Sequence, residues 1–376
     1  MGKRQDTLSG LLLRGARSKG SQPYLIHAST GSVCTYQEAC AAAERAAAGL
    51  EAQGAGRGAR VAFVLEDDLQ VVVSLLACAR LGACASFLDP GLPEPRVSAG
   101  LKVFRPRLVV RSRDVRAMLR VPGTRSPGPT APARAEDPLV SFLGEGRSAV
   151  HTQSSLLAGA EALAERFKPL GAGAEWCLWP GRAYPALLDA VCALLRGGSL
   201  VLGGASLLKT SAGPALERLR VRALDLPASM LTLLLRKTMG SGSPAFPEGV
   251  RWVRCSGGPF PEREARAFES SSGVPVVALL SAAESGPVSS TQARLGARPP
   301  GCVGRPLHGC DVRILDSRGR AKPPGRSGEV AVRSKAVMTG RVPTGGSVRL
   351  DPRRRWRRTG LQGRLDRKGD LHLPAT

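Results

Sequence analysis

The chain has 376 residues, enough to bury one large core or two to three subdomains. Its formal net charge of +24 fits an anionic partner or a genomic arginine bias, but aromatic residues are only 4% of the chain, so no nucleic-acid partner is expected. The nine cysteines are scattered without a CxxC pair, which predicts reduced thiols, a cytoplasmic location and no metal site. Near the start the apolar run 11–13 is too short for a signal peptide, and no membrane association is expected.

Alternating apolar strands and alanine- or leucine-rich helices predict an α/β fold. Residues 39–50 form the clearest predicted helix, with alanine on most faces, as in a helix packed on a sheet. A stretch rich in proline and glycine, 121–132, predicts a connection between subdomains. Strand-like residues with glycine and proline turns follow over 303–332. We therefore expect a first α/β subdomain with its linker (1–133), a second α/β subdomain (134–295) and a β-rich subdomain (296–376).

Residues 138–157 read PLVSFLGEGRSAVHTQSSLL, which predicts a buried strand, a glycine turn and the start of a helix. Units of this kind hold nucleotide phosphates with backbone N–H groups and a lysine. Here the loop consists of Gly144, Glu145, Gly146 and Arg147, without a lysine or a run of hydroxyl residues. Glu145 would repel a polyphosphate. The sequence therefore predicts that this loop does not bind a nucleotide.

Further segments occur in the order typical of one family. They are VCTYQE (33–38), GAGRGARVAFV (54–64), the run 75–90, PGCVGRP (300–306), PGRSGE (324–329) and the run 356–369. Through them the chain resembles the large N-terminal domain of the adenylate-forming superfamily, which includes acyl- and aryl-CoA ligases, from about Tyr24 to Leu371. The resemblance implies two doubly wound α/β subdomains plus a β-barrel-like subdomain.

The resemblance also identifies what this chain lacks at the nucleotide positions. The family's adenine-flanking aromatic falls on Leu280, its hydroxyl residue on Ala283, and its ribose-binding aspartate on Leu361. Glu284, at the magnesium-associated position, is retained. The smaller C-terminal domain of the family, which carries the adenylation lysine, would follow Thr376. Ordinary ATP-dependent ligation and a cofactor are therefore not expected.

The acyl-binding part of the family, in contrast, is retained. The resemblance places an acyl pocket between the helix after Tyr184, the turn after Cys255 and the strand 276–281. Arg182 would pair with an acyl carbonyl or a partner phosphate, or simply lie on the surface. The substrate-binding residues expected on this basis are Arg182, Tyr184, Ser256, Gly257, Gly258, Leu279, Leu280 and Ser281.

Three functions fit this pattern. The first is an ATP-independent acyltransferase of secondary metabolism, which moves an acyl or aryl group from its CoA thioester to the phosphopantetheine thiol of an acyl carrier protein. The second is a non-catalytic relic or scaffold of an aryl-CoA ligase. The third is an unusual ATP-dependent acyl- or aryl-CoA ligase.

For acyl transfer, His151 is the candidate general base, or else a histidine that caps a helix, and Glu284 would orient a thiol or simply cap a turn. Cys255 would be a covalent acyl carrier only if its thiol were reactive, and a buried structural thiol is the simpler interpretation. An arginine cluster would attract an acidic carrier protein, or form a solvated face. Its expected partner-binding members are Arg353, Arg354, Arg355, Arg357 and Arg358.

Overall fold

The computed structural model describes most of the chain as regular elements. The described residues are 7–121, 133–144, 147–167, 173–203, 212–240, 249–257, 260–296, 298–343, 348–350 and 356–374. The helices among them are α1 (Leu8–Lys19), α2 (Tyr36–Ala52), α3 (Asp68–Leu81), α4 (Glu94–Phe104), α5 (Ser112–Arg120), α6 (Gln153–Arg166), α7 (Tyr184–Arg196), α8 (Ala212–Arg218), α9 (Ala228–Gly240) and α10 (Glu262–Ser272).

The strands alternate with these helices and continue alone near the end of the chain. They are β1 (Pro23–His27), β2 (Val33–Thr35), β3 (Arg60–Val64), β4 (Cys84–Leu88), β5 (Leu108–Arg111), β6 (Pro138–Gly144), β7 (Arg147–Thr152), β8 (Ala174–Cys177), β9 (Ser199–Leu202), β10 (Val221–Pro227), β11 (Trp252–Ser256), β12 (Val276–Ala282), β13 (Gly286–Ser290), β14 (Cys302–Pro306), β15 (Cys310–Leu315), β16 (Gly328–Ser334), β17 (Gly340–Arg341), β18 (Arg349–Leu350), β19 (Arg357–Leu365) and β20 (Leu371–His372).

The described strands form two mixed sheets, as the α/β prediction requires. The smaller runs β18-β17-β7-β6-β4-β3-β5, and the larger runs β15-β16-β19-β20-β14-β13-β12-β11-β10-β8-β9-β1-β2. In the smaller sheet β3, β4, β5 and β6 are parallel and β7 is antiparallel. In the larger sheet β1, β9, β8, β10, β11 and β12 are parallel.

The sheets do not follow the expected boundaries at residues 133 and 295. Strands β1 and β2 precede residue 133 but pair with β9 in the larger sheet. Strands β6 and β7 follow residue 133 but extend the smaller sheet from β4. Most of the proline- and glycine-rich linker, 122–132, lies outside the described residues. Chain order and sheet membership therefore differ at both ends of the predicted second subdomain.

Helices between the two sheets build the main core. Helix α2 starts with a capping box in which the Thr35 side chain accepts from the Glu38 N–H and Glu38 accepts from the Thr35 N–H. Five of its eight alanines are buried, which confirms the predicted helix and brings α2 close to its neighbours. The core side chains come from α2, α3, α6 and α7 and from both sheets, including Phe63 and Leu200. No helix among the described residues is long and apolar enough to cross a membrane.

The β-rich end of the chain has a core of its own. Strands β14, β15, β16, β19 and β20 are joined by antiparallel pairing. Val303, Ile314, Val330 and Leu371 pack together there. This confirms the strand prediction for 303–332, and the antiparallel region extends the larger sheet beyond β13.

A fully buried arginine links four elements of the larger sheet and its helix layer. Arg254, on β11, is 0% exposed, and its Nη2 lies 2.5 Å from Asp189 Oδ1, 2.8 Å from Glu175 Oε1 and 3.2 Å from Asp225 Oδ2. Arg196 adds a second guanidinium, 3.1 Å from Glu175. A buried charge is tolerated only when paired, so this cluster ties α7 to β8, β10 and β11.

The protonation of this cluster follows from its charges. Burial raises the pKa of Glu175, but the guanidinium groups of Arg254 and Arg196 outweigh it, so the net pKa is lowered. Burial raises the pKa of Asp189 well above its usual range despite the attraction of Arg254, and repulsion from Asp225 adds to the rise. With one carboxyl protonated, two guanidinium charges balance two carboxylates.

A metal ion would compete poorly for the same place. Donor atoms of Cys177, Asp189 and Asp225 lie within 4.8 Å of one another. The guanidinium of Arg254 already lies among the carboxylate oxygens and supplies the positive charge. This group of donor atoms therefore fits the guanidinium of an arginine rather than a metal ion.

We predict that Arg254→Met lowers the free energy of unfolding by about 3–5 kcal/mol, because it leaves buried carboxylates without their counterion. Asp189→Asn is the matched control, since its amide resembles the protonated acid. A raised pKa gives stability at low pH that is lost as pH rises through the folded-state value, and the control removes that loss. Urea unfolding at a series of pH values from the unfolded pKa of about 3.8 upward measures both effects. An Arg254→Met protein as stable as wild type would contradict the assigned role.

Candidate functional site

Parallel strands β8, β10, β11 and β12 end at one edge of the larger sheet, the usual position of a ligand in such folds. Ser281 lies at the end of β12, whose Val277 and Leu279 belong to the main core. Tyr184 begins α7, which belongs to that layer. The hydroxyl groups of Tyr184 and Ser281 are both buried and have no hydrogen-bond partner among the described residues. A buried hydroxyl without a partner costs free energy, so either group would gain from a hydrogen bond.

His151 joins the two sheets beside these hydroxyls. It lies on β7 in the smaller sheet, and its Nε2 is 2.7 Å from the carbonyl oxygen of Ala283, in the turn after β12. Its Nδ1 is 3.1 Å from Ser155 Oγ. Its ring stacks on Tyr184, with 5.0 Å between centroids, and Phe142 meets it edge-on. A carbonyl can only accept, so Nε2 carries the proton and Nδ1 accepts from Ser155.

This environment differs from the predicted one. A second strand, β7, intervenes where the sequence predicts a helix start, and α6 begins only after its N-cap Thr152. His151 is 0% exposed and both ring nitrogens are engaged. Burial lowers the pKa of His151 to about 4, so the imidazole is neutral at physiological pH. A fully buried, weakly basic ring does not suit a general base. It acts instead as a clamp that holds β7 to the turn after β12.

The turn after β11 is closed by a tryptophan rather than left open. Gly257 has φ +69°, and a Cβ there would lie 2.4 Å from the indole of Trp179. The Trp179 N–H donates to Ser256 Oγ at 3.2 Å, and Ser256 donates to Asp225 at 3.2 Å. The absent side chain at Gly257 therefore admits Trp179, which narrows the predicted pocket. Gly258 lies outside the described residues.

Arg182 is held by an aspartate that the sequence analysis did not select. Its Nη2 lies 2.6 Å from Asp89 Oδ2, directly after β4 of the smaller sheet. The preceding Gly181 N–H donates to Asp68 Oδ1 at 2.7 Å. Arg182 is therefore a second link between the two sheets, and its guanidinium is already paired instead of free for an acyl carbonyl.

The two leucines at the nucleotide positions are placed differently. Leu280 is half-buried and packs against the core of the β-rich region. Leu361 is 40% exposed on β19 and offers no acceptor for a ribose diol. Strands β6 and β7 pair as far as Gly144 and Arg147, while Glu145 and Gly146 lie outside the described residues.

The other predicted site residues divide between wall and turn positions. Leu279 is 6% exposed and belongs to the main core rather than to an open cavity wall. Glu284 is half-buried in the turn after β12, and its carbonyl accepts from Met338 N–H at 3.2 Å. Burial raises the pKa of the Cys255 thiol to about 12, so this cysteine is not poised as a covalent acyl carrier.

The arginine cluster is only partly described. Arg353, Arg354 and Arg355 lie outside the described residues. Arg358 is exposed and donates to Glu329 at 2.6 Å, and Arg357 is half-buried. Trp356 lies between the guanidinium groups of Arg313 and Arg333, at 4.5 and 4.9 Å. Arg358 is thus engaged within the β-rich region, which reduces the charge it offers to a partner.

Comparison with known proteins assigns most of the chain to one family. The model of the AMP-binding enzyme family matches residues 13–140 and 144–340. Novobiocin biosynthesis protein H of Streptomyces niveus is 27% identical over 89% of this chain and 58% of its own length. Fatty acid--[acyl-carrier-protein] ligase MmaC of Mycobacterium marinum is 24% identical over 82% of this chain and 66% of its own.

A solved structure supports the same assignment of the fold. The N-terminal domain of FACL13 from Mycobacterium tuberculosis superposes with a TM-score of 0.86 at 21% identity, covering 98% of this chain and 100% of that one. The chain belongs to the AMP-binding enzyme family and has the fold of the N-terminal domain of adenylate-forming enzymes. It spans about three fifths of the length of the curated relatives it matches.

We predict that His151 makes stability depend on pH. A pKa lowered from 6.5 to about 4 means that the unfolded chain binds a proton more readily, so this contribution is complete above the unfolded value and is lost as pH falls through the folded one. The loss would amount to about 3 kcal/mol. His151→Gln should flatten this part of the urea-unfolding profile between about pH 7 and pH 4.

The matched control is His308→Gln, because the His308 side chain is 75% exposed. Its profile should follow that of wild type. Equal slopes for wild type and His151→Gln would show that the buried imidazole does not resist protonation.

Proposed function

We propose that this protein is a non-adenylating member of the AMP-binding enzyme family, which binds an acyl or aryl group as the acid or its CoA thioester but does not activate it with ATP. The function is that of a ligase-derived binding scaffold and requires no cofactor. One observation carries the proposal. The buried hydroxyls of Tyr184, whose ring stacks on His151, and of Ser281, at the end of β12, lack partners among the described residues.

The chemistry of these groups supports an acyl or aryl ligand. A carbonyl, carboxylate or ring hydroxyl of the ligand would satisfy either buried hydroxyl, a hydrogen bond worth about 0.5–1.5 kcal/mol. The aromatic rings of Tyr184 and Phe142, whose centroids are 5.5 Å apart, supply an apolar wall. Trp179 limits the space beside Gly257, which favours a flat or short group over a long chain.

The residues at the family's nucleotide-binding positions support the same proposal, because they lack groups that would bind ATP. Leu280 packs into a hydrophobic core and Leu361 has no acceptor. The turn at Ala283 is bound through its carbonyl to His151 at 2.7 Å. These positions offer ATP neither a stacking aromatic nor a ribose acceptor, and each such loss costs about 1–3 kcal/mol.

Calorimetry tests both halves of this proposal with the intact chain. We predict that members of a panel of aryl acids and aryl-CoA thioesters bind, and that ATP with magnesium gives no binding heat. Tyr184→Phe and Ser281→Ala should each raise the dissociation constant of the ligand about threefold to tenfold, since each substitution removes one hydrogen bond.

Leu361→Ala, at an exposed position on β19, is the control and should leave aryl affinity unchanged. A micromolar ATP dissociation constant would overturn the non-adenylating half. Aryl binding that is equal in wild type and both hydroxyl variants would overturn the assigned pocket.

Acyl transfer to a carrier protein is a second candidate, favoured by the chain's charge of +24 and by the name of MmaC, which is an acyl-carrier-protein ligase. In this reaction the carrier thiolate attacks the thioester carbonyl, a new C–S bond forms, and the bond to CoA breaks. CoA leaves as a thiolate and takes up the proton released by the carrier thiol. Exchange between thioesters is nearly thermoneutral and needs no ATP.

Mass spectrometry of acidic carrier proteins incubated with aryl- and acyl-CoAs tests this candidate. We predict that any transfer is faster with the protein than without it, independent of ATP, and slowed by salt. Ser281→Ala should slow it further, because the same pocket would hold the acyl group. If the carrier gains acyl mass no faster than it does without the protein, acyl transfer is ruled out and the scaffold function remains the proposal.

A further inference from the structure

Helix α5 carries a stripe of arginine on its solvent side. Its buried residues, Val115 and Met118, face α2, where Met118 packs against Gly49. Arg113, Arg116, Ala117 and Arg120 are exposed at positions i, i+3, i+4 and i+7, which share one face of a helix. We call these four residues the α5 stripe. It extends about 10 Å along the helix axis.

The charges of the α5 stripe are largely available. Among the described residues neither Arg116 nor Arg120 forms an ion pair. Asp114 lies 3.6 Å from Arg113, but its other oxygen accepts the backbone N–H of Arg111 at 2.8 Å, and the Arg113 side chain remains 80% exposed. Three guanidinium groups are therefore offset by a single carboxylate that also caps the helix.

The composition of the stripe selects among anionic partners. Its four residues include no aromatic ring on which a base would stack, which disfavours single-stranded nucleic acid. The apolar side of α5 is already buried against α2, so the helix has no apolar side to insert into a membrane. At its centre Ala117 leaves room for another backbone to approach, with arginines on either side to pair with carboxylates.

We propose that the α5 stripe docks an acidic helix of a partner protein, with carboxylates at i, i+3 and i+7 paired to the three arginines and the partner's backbone lying over Ala117. This surface lies on the smaller sheet's helix layer, and its partner does not depend on the function proposed for the carboxyl edge of the larger sheet. The planar guanidinium groups would orient the partner's carboxylates, and the small side chain of Ala117 would let the partner helix approach closely.

A labelled alanine-based helical peptide with glutamates at i, i+3 and i+7 of one face is the probe, titrated by fluorescence anisotropy against the intact chain. The combined variant Arg113→Gln, Arg116→Gln, Arg120→Gln should weaken binding about tenfold, since three exposed ion pairs are lost. Ala117→Gln should also weaken it, although it leaves the net charge unchanged. A peptide of the same composition with glutamates spread around the helix should bind less well.

The matched control replaces three exposed arginines elsewhere, Arg294, Arg318 and Arg326, by glutamine, with the same change in net charge. Its affinity should stay within about twofold of wild type. Equal losses in both triple variants, or equal binding of both peptides, would reduce the effect to diffuse charge and overturn the proposal. So would oligo-dT or phosphatidylserine vesicles that bind more tightly than the peptide and depend on the same three arginines.

Discussion

One hydrogen bond fixes the geometry on which the site depends. The Nε2–H of His151 donates to the carbonyl of Ala283, which joins β7 of the smaller sheet to the turn after β12 of the larger one. Its ring also stacks on Tyr184, so the start of α7 is held to the same point. Since the ring is fully buried and neutral, this clamp forms without the cost of a buried charge. Packed side chains, rather than a bound nucleotide, therefore hold the two sheets together at this point.

Buried charge orders the other side of the site. Arg254 holds Asp225 of β10, and Asp225 accepts from Ser256, which in turn accepts from Trp179. The indole then fills the place beside Gly257. A chain of contacts thus extends from a sealed ion pair to the turn that the family uses near its acyl group. The position of Trp179 beside Gly257 is accordingly fixed by a charge network that lies beneath it.

Local sequence signals were sufficient for much of the fold. The Thr35–Glu38 capping box and the alanine run behind it define α2, and the β-rich run 303–332 forms strands. The strand β7 was missed because its six residues follow a glycine turn where the family motif suggests a helix. Sheet membership was missed as well, because pairing such as that of β1 with β9 joins residues far apart in the chain.

The candidate site was harder to predict for the same reason. Tyr184 and Ser281 could be selected through resemblance, but the partners of the other residues come from distant elements. Asp89 engages Arg182, and Ala283 engages His151, and no spacing in the sequence indicates either contact. The isolated Trp179 beside a proline-glycine loop was the one available signal of a filled pocket. Long-range contacts therefore engage both Arg182, which was expected to bind substrate, and His151, the candidate general base, in joining the sheets.

The most direct measurement of the central claim is carboxylate-dependent exchange of labelled pyrophosphate into ATP, which reports adenylate formation regardless of the later acceptor. The chain should be assayed with the same panel of aryl acids that is used for calorimetry. The account predicts exchange no faster than in the absence of protein, because Leu280, Ala283 and Leu361 leave the nucleotide without partners. Exchange that rises with both protein and carboxylic acid would contradict it.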